Sequence, residues 1–192
     1  MPVNLSALVR DRLDELRRST DSVTVETDID ETYVEANELL ASVVDNLLRN
    51  AVEHGSTSNR TGSDNAVEHG STSNRTESGN AWLRVTVTPT DRGDAVQFRI
   101  EDDGPGFTDA ELAIHGDGRA TESALQHSDG VGLWLVRWIV DAYDGRVDIG
   151  NAADGGAVVT VTLSRADGPN PNPSASESTP SVAEDAELAQ SR

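Results

Sequence analysis

The spacing of apolar residues along the chain predicts four helices. Apolar residues recur every three or four positions, which is the helical period, in three long stretches and one short one. These stretches run from about Asn4 to Arg18, from Asn37 or Glu38 to His54, from about Asp109 to Ile114, and from Gly130 onward. Gly145 follows the last of them, as a glycine commonly does at a helix C-terminus.

Five further stretches alternate apolar and polar residues and therefore predict strands. They run from Asp21 to Asp30, Ala81 to Thr88, Ala95 to Glu101, Arg146 to Gly150 and Ala157 to Leu163. Helices and strands intermix along the chain, an order typical of an α/β protein. We expect a two-layer α/β sandwich with a mixed, mostly antiparallel sheet and helices on one face.

A direct repeat interrupts this pattern. The segment from Asn50 to Thr61 recurs letter for letter from Asn65 to Thr76, and only the first copy continues an apolar helix face. We expect the second copy to lie in a polar surface loop over 55–80, because loops accept insertions at small cost. Pro, Ser and acidic residues then dominate the C-terminus, so we expect one domain over 1–164 and a disordered acidic tail over 165–192.

The charge balance excludes one class of partner. Acidic residues number 34 against 15 basic ones, giving a formal net charge of -19, and every basic residue is an arginine. Nucleic acid rewards basic surfaces, so this composition argues against binding it. Such a surface repels itself at low salt and is relieved by screening. The composition resembles that of proteins from salt-accumulating, halophilic archaea.

Other absences in the sequence also bear on function. The chain has no cysteine, which excludes disulfides and thiolate metal sites. No apolar run approaches the roughly 20 residues of a membrane span, and the first residues lack a secretory pattern. We therefore expect a soluble, cytoplasmic protein with no direct membrane segment.

Three groups of residues suit a phosphate-bearing ligand. Asn46 and Asn50 share one face of a predicted helix, and amide oxygens suit a hard cation. Asp102 ends a predicted strand that runs into Gly-Pro-Gly, where glycines allow close approach of the backbone. Gly130 and Gly132 begin a helix, whose free N–H groups favour phosphate. Taken singly, each group has a plainer explanation: a surface amide, a tight turn and a flexible hinge.

Taken together and in this order, the three groups resemble motifs of the catalytic ATP-binding domain of sensor histidine kinases. That domain belongs to the superfamily shared with gyrase, heat-shock chaperones and mismatch-repair proteins. The matching segments are Asp45–His54 (N box), Glu101–Phe107 (first glycine box) and Asp129–Val140 (second glycine box). The resemblance covers roughly Leu5 to Leu163 and implies the Bergerat ATP-binding fold, with ATP and Mg²⁺ as cofactors.

The resemblance also implies a role for each matching residue. Asn50 would coordinate Mg²⁺, Asn46 would line the phosphate side, and Asp102 would accept a hydrogen bond from the adenine amino group. The remaining contacts would be Gly104 and Gly106 beneath the base, His54 stacking on it, and Gly130, Val131, Gly132 and Leu133 at the phosphates. Residues 107–129 would form the ATP lid.

Two charged residues are candidates for the chemistry itself. Arg119 would reach the γ-phosphate from the lid, and Asp45 would act as a base or orienting acid toward the acceptor. For both residues a solvated surface charge is the plain alternative. Three positions depart from the family pattern: Glu53 replaces a frequent lysine, His54 replaces a frequent aromatic residue, and Ala157 replaces a frequent threonine.

The histidines bear on where the phosphoryl group would go. His54, His69, His115 and His127 all lie outside any long amphipathic helix upstream of the ATP site. The acceptor histidine is therefore expected on a separate dimerisation domain, with a response regulator as second partner, and the isolated domain is expected to be a monomer. Two alternatives remain: an anti-sigma-type serine kinase, which usually carries Glu where Asn46 stands, and a non-catalytic nucleotide-binding module that regulates a partner by contact.

Overall fold

The computed structural model describes residues 1–57, 81–116, 130–153 and 155–168. Within these ranges the chain forms seven strands and four helices. The strands are β1 (Pro2–Asn4), β2 (Val23–Ile29), β3 (Tyr33–Glu35), β4 (Ala81–Pro89), β5 (Ala95–Asp102), β6 (Arg146–Asn151) and β7 (Ala157–Ala166). The helices are α1 (Leu5–Ser19), α2 (Leu40–Thr57), α3 (Asp109–Gly116) and α4 (Gly130–Asp141).

All seven strands belong to one sheet. Its order is β1-β3-β7-β5-β4-β2, and β6 also pairs with β7. β2 lies parallel to β4, with Val25 opposite Leu83, whereas the other pairs are antiparallel. The mixed, mostly antiparallel sheet predicted from the sequence is confirmed.

Alternation along the central strands places apolar side chains on a single face of the sheet. In register, Val85 lies opposite Ile100, which lies opposite Val159. Helices α2 and α4 cover this face and contribute to the same core. Fully or almost fully buried helix residues include Val43, Val44, Leu47, Val136, Ile139 and Val140. The result is the two-layer sandwich with helices on one face.

Two helices begin at side chains that satisfy free backbone N–H groups. Asn4 precedes α1 and accepts a hydrogen bond of 2.8 Å from the Ala7 N–H. Thr108 precedes α3, and its N–H donates to Glu111 Oε2 at 2.7 Å while its Oγ1 accepts from the Glu111 N–H at 3.3 Å. This reciprocal pair is a capping box, which explains why α3 starts at Asp109.

Several boundaries differ from the sequence prediction. α2 begins at Leu40 and continues to Thr57, so residues 55–57, which were predicted as loop, are helical. β7 continues past Leu163 to Ala166, because its last residues pair with β3. β1 and β3 were not predicted, since three residues are too few to show alternation.

Three predicted segments fall mainly outside the described residues. They are the greater part of the polar loop (58–80), the later part of the ATP lid (117–129) and most of the tail (169–192). Among the helices in the described part of the chain, none combines the length and the apolarity needed to cross a bilayer.

Candidate functional site

Asp102 is the buried carboxylate at the end of β5. Only 5% of the residue is exposed, and its Oδ1 accepts hydrogen bonds from the Gly104 N–H at 2.9 Å and the Ala157 N–H at 3.1 Å. Burial raises the pKa of Asp102, while these two N–H groups and the charge of His54 oppose the rise. Both bonds use Oδ1, so within the described residues Oδ2 is the oxygen on which a ligand donor would fit.

Tight backbone contacts hold the loop that follows Asp102. Gly156, at φ +91°, lies against β5 so closely that a Cβ atom there would sit 1.9 Å from the Asp102 carbonyl oxygen. A Cβ atom at Gly104 would sit 3.0 Å from the carbonyl oxygen of His54, near the end of α2. The loop from Asp103 to Gly106 therefore lies between α2 and the β6–β7 hairpin.

Asn46 and Asn50 meet the start of α4. A Cβ atom at Gly132 would lie 3.1 Å from both Oδ1 and Nδ2 of Asn50, and 3.5 Å from Asn46 Oδ1. Glycine thus allows the first turn of α4, with its free N–H groups, to approach both amides. The structure brings the predicted phosphate-side residues of two separate motifs into one cluster, which we call the amide cluster (Asn46, Asn50 and Gly132).

The Asn46 side chain is fixed by its neighbours on α2. It is 9% exposed, and its Nδ2 donates to the Ser42 carbonyl oxygen at 2.7 Å. Its Oδ1 accepts a hydrogen bond from the Arg49 guanidinium. Arg49, which was not predicted as a site residue, therefore brings a positive charge to the edge of the amide cluster.

Other predicted residues occupy more varied positions. Asp45 is half exposed and forms an ion pair with Arg12 of α1, with 3.0 Å between Asp45 Oδ1 and Arg12 Nε. Leu133 is 8% exposed and packs in the core, so only its backbone could face a ligand. Gly130 and Val131 form the start of α4, and Arg119 lies outside the described residues.

Two polar side chains that were not predicted brace the Asp102 loop. Asp103 Oδ1 accepts from the Trp82 N–H at 3.0 Å and so ties the loop to β4. Asn151, the last residue of β6, accepts from the Phe107 N–H at 2.7 Å and donates to the Phe107 carbonyl oxygen at 2.8 Å. The hydrogen-bond partners of Asp103 and Asn151 are backbone groups of residues distant in sequence. No spacing between residues in the sequence could therefore have identified these two side chains.

Comparison with known proteins agrees with this geometry. Residues 35–167 match the family described as "Histidine kinase-, DNA gyrase B-, and HSP90-like ATPase". The C4-dicarboxylate transport sensor protein DctS of Rhodobacter capsulatus is 34% identical over 125 residues, which are 65% of this chain and 16% of DctS. The sensor histidine kinase component HK1 of Mycobacterium tuberculosis is 33% identical over 81 residues, 41% of this chain and 48% of HK1.

A solved structure, that of the mycobacterial sensor histidine kinase MprB, has the same fold. It superposes with a TM-score of 0.62 at 21% identity, covering 86% of this chain and 98% of that one. The fold and the family match together define an ATPase domain of the α/β-sandwich class. The chain belongs to the histidine kinase-, DNA gyrase B- and HSP90-like ATPase family, and it spans less than half the length of the two curated relatives it matches.

Proposed function

We propose that this chain is the ATP-binding catalytic domain of a two-component sensor histidine kinase, which transfers the γ-phosphoryl group of ATP to a histidine. One observation carries the proposal: α2 meets both the loop that follows Asp102 and the first turn of α4. The Gly104 loop meets α2 at His54, and Gly132 meets it at Asn50. These contacts are one helical turn apart, roughly 6 Å along the axis, which suits a ligand with a base at one end and phosphates at the other.

The residues at the base end fit adenine. The Asp102 carboxylate would accept a hydrogen bond from the exocyclic amino group, and guanine would be disfavoured because it presents an acceptor there. Gly104 and Gly106 add no side chain that would obstruct a flat base, and half-buried His54 lies where it could contact the base.

The residues at the phosphate end fit a magnesium-bound polyphosphate. The Asn50 amide oxygen would be a ligand for Mg²⁺, which neutralises phosphate charge when bound. The N–H groups of Gly130, Val131, Gly132 and Leu133 open α4 and would bind phosphate oxygens. Asn46 and Arg49 would border the same phosphates, and Arg119 would add a charge from the lid.

Phosphoryl transfer to a protein is favoured over rapid hydrolysis of ATP. Asn46 stands where hydrolases and anti-sigma-type kinases of the superfamily usually carry Glu, and an amide cannot take a proton from water. Asp45, the residue before Asn46 on α2, would orient an acceptor, although its ion pair with Arg12 also supports a purely structural role.

The proposed partners follow from the relatives, which are a sensor protein and a histidine kinase component. We expect a dimerisation domain that supplies the acceptor histidine in trans, a response regulator as the next acceptor, and a monomeric domain in isolation. The need for ATP points to the cytoplasm. The net charge of -19 supports a halophilic source with concentrated cytoplasmic salt.

Calorimetry in molar KCl tests nucleotide binding. The wild type should bind ATP saturably with Mg²⁺, and Asn50→Ala should lose most of the magnesium-dependent part of the affinity. Phosphotransfer is then measured with γ-labelled ATP and a dimerisation domain from a sensor histidine kinase, added in trans. Acid-labile, alkali-stable label would support a phosphohistidine, whereas acid-stable label would support the serine-kinase alternative. Binding without any transfer would support the non-catalytic module.

A further inference from the structure

Asn151 stands out among the polar residues near the site because both ends of its amide bond to the backbone of a single residue distant in sequence, Phe107. Oδ1 accepts from the Phe107 N–H at 2.7 Å and Nδ2 donates to the Phe107 carbonyl oxygen at 2.8 Å, across a sequence separation of 44. Phe107 is the first residue after the glycine loop. The amide therefore bonds to the backbone as a neighbouring strand would, at a point where the sheet has already ended.

The same hairpin holds both ends of the glycine loop. Asn151 lies opposite Ala157 in the β6–β7 register, and the Ala157 N–H donates to Asp102 Oδ1 at 3.1 Å. Asp102 precedes the loop, and Phe107 follows it. A further hydrogen bond, from the Ala152 N–H to the Gly156 carbonyl oxygen at 3.0 Å, closes the hairpin that bears these contacts.

The loop backbone also lies directly against the Asn151 amide. A Cβ atom at Gly106, where φ is +76°, would lie 2.8 Å from Asn151 Oδ1. Two glycines give this loop wide conformational freedom, so its position depends on the contacts that hold it: those of Asp102 and Asp103 at its start and that of Phe107 at its end.

We propose that Asn151 is a positioning residue for the base-binding loop: its amide fixes Phe107 and thereby sets where Gly104 and Gly106 lie relative to Asp102. This inference rests on the proposed function, which places adenine over the loop. An amide suits the role because it offers one donor and one acceptor. A carboxylate of the same shape would still accept from the Phe107 N–H, but its second oxygen would face the Phe107 carbonyl oxygen.

The experiment compares two loop variants with a matched control. Asn151→Ala removes both hydrogen bonds, and Asn151→Asp replaces one by repulsion. Asn4→Ala removes a comparable side-chain-to-backbone bond, the 2.8 Å cap on α1, away from the loop. Calorimetry with MgATP and MgADP should show a loss of about tenfold for Asn151→Ala, the equivalent of roughly one net hydrogen bond. Asn151→Asp should lose at least as much.

Comparing ATP with ADP shows which part of the nucleotide the Asn151 substitutions affect. The loss of affinity in the Asn151 variants should be equal for ATP and ADP, because the loop contacts the base. The affinity of Asn4→Ala should stay within about twofold of wild type, even if its melting temperature falls as much as that of the Asn151 variants. Unchanged affinity in both Asn151 variants, a loss confined to ATP, or an equal loss in Asn4→Ala would overturn the proposal.

Amide hydrogen exchange separates this inference from the proposed function. In Asn151→Ala the Phe107 N–H should exchange at least about tenfold faster, while the Ala157 N–H, held by Asp102, should be unchanged. A wild type that binds neither nucleotide would defeat the proposed function. The exchange data would still show whether Asn151 orders the loop, and an unaffected Phe107 amide would refute that.

Discussion

Replacement of Asp102 by asparagine separates the binding role of this residue from its structural one. In the folded protein, Oδ1 accepts from two backbone N–H groups, those of Gly104 and Ala157. The proposed base adds a third donor on the Oδ2 side. An amide has a single oxygen, so in either orientation its NH₂ group must face an N–H group, from the backbone or from adenine.

The cost to binding follows from that mismatch. A hydrogen bond to a charged group contributes about 2–3 kcal/mol in such a site, which corresponds to a loss of roughly 30- to 150-fold in affinity for ATP. The preference for ATP over GTP should narrow as well, because an NH₂ group turned toward the base can donate to the oxygen of guanine.

The effect of Asp102→Asn on folding stability has the opposite sign to its effect on ATP binding. Because burial raises the pKa of Asp102 above its ordinary value of 3.8, the folded protein binds a proton there more readily than the unfolded chain. The ionised carboxylate therefore costs stability, a cost that appears as pH rises through 3.8 toward the folded pKa. Asparagine does not titrate, and its oxygen can keep both backbone bonds.

The assay pairs calorimetry with thermal melts across pH. Asp102→Asn should melt at pH 7 at or above the wild-type temperature, with an advantage that shrinks as pH falls toward 4, and should still bind ATP weakly. ATP affinity within about threefold of wild type would refute the role of Asp102 at the base. A variant that melts well below wild type at pH 7 would refute the pKa argument.

Three further substitutions or conditions test other parts of the structure. Gly156→Ala, which would place a Cβ 1.9 Å from the Asp102 carbonyl oxygen, should cost about 2–4 kcal/mol of unfolding free energy in denaturant melts, whereas Gly150→Ala, with no atom within 4 Å, should be nearly neutral. Gly132→Ala should weaken MgATP binding roughly fivefold in calorimetry, because its Cβ would lie 3.1 Å from both polar atoms of the Asn50 amide; unchanged binding would contradict a role for the amide cluster in binding phosphate. The melting temperature should rise by several degrees between 0.1 and 1 M KCl, as the Debye length falls from about 10 to 3 Å, and a flat profile would contradict the proposed halophilic source.

Residue spacing alone predicted most of the secondary structure. The long amphipathic helices and the central strands contribute apolar stripes to the core. Leu5, Val9 and Leu13 of α1, or Val96, Phe98 and Ile100 of β5, can therefore be identified without coordinates. β1 and β3 were not predicted because they are strands only by virtue of their pairing in the sheet. β3 pairs with the last residues of β7, and β1 pairs with β3. A segment of three residues contains no sequence pattern that would identify its partner strand.

The part of the site that is formed by functional side chains could be predicted from the sequence. Asp102, Asn46 and Asn50 are conspicuous in sequence, and the resemblance to the kinase motifs correctly grouped segments that the structure brings together. Asn151 and Asp103 could not be found in this way, because each bonds to main-chain atoms of residues whose identity is immaterial to the contact. The lid candidate Arg119 is still a prediction.

The hydrogen bond from the Ala157 N–H to Asp102 bears on how the replacement at position 157 is interpreted. Ala157 replaces the threonine that is frequent at this position, and this would suggest an impaired pocket. Because the contact uses the main chain, it does not depend on the side chain at position 157, except that proline would remove the N–H group. A comparison of side chains alone would then overstate the effect of this replacement on the pocket. A pocket formed by peptide groups can change a side chain and keep its geometry.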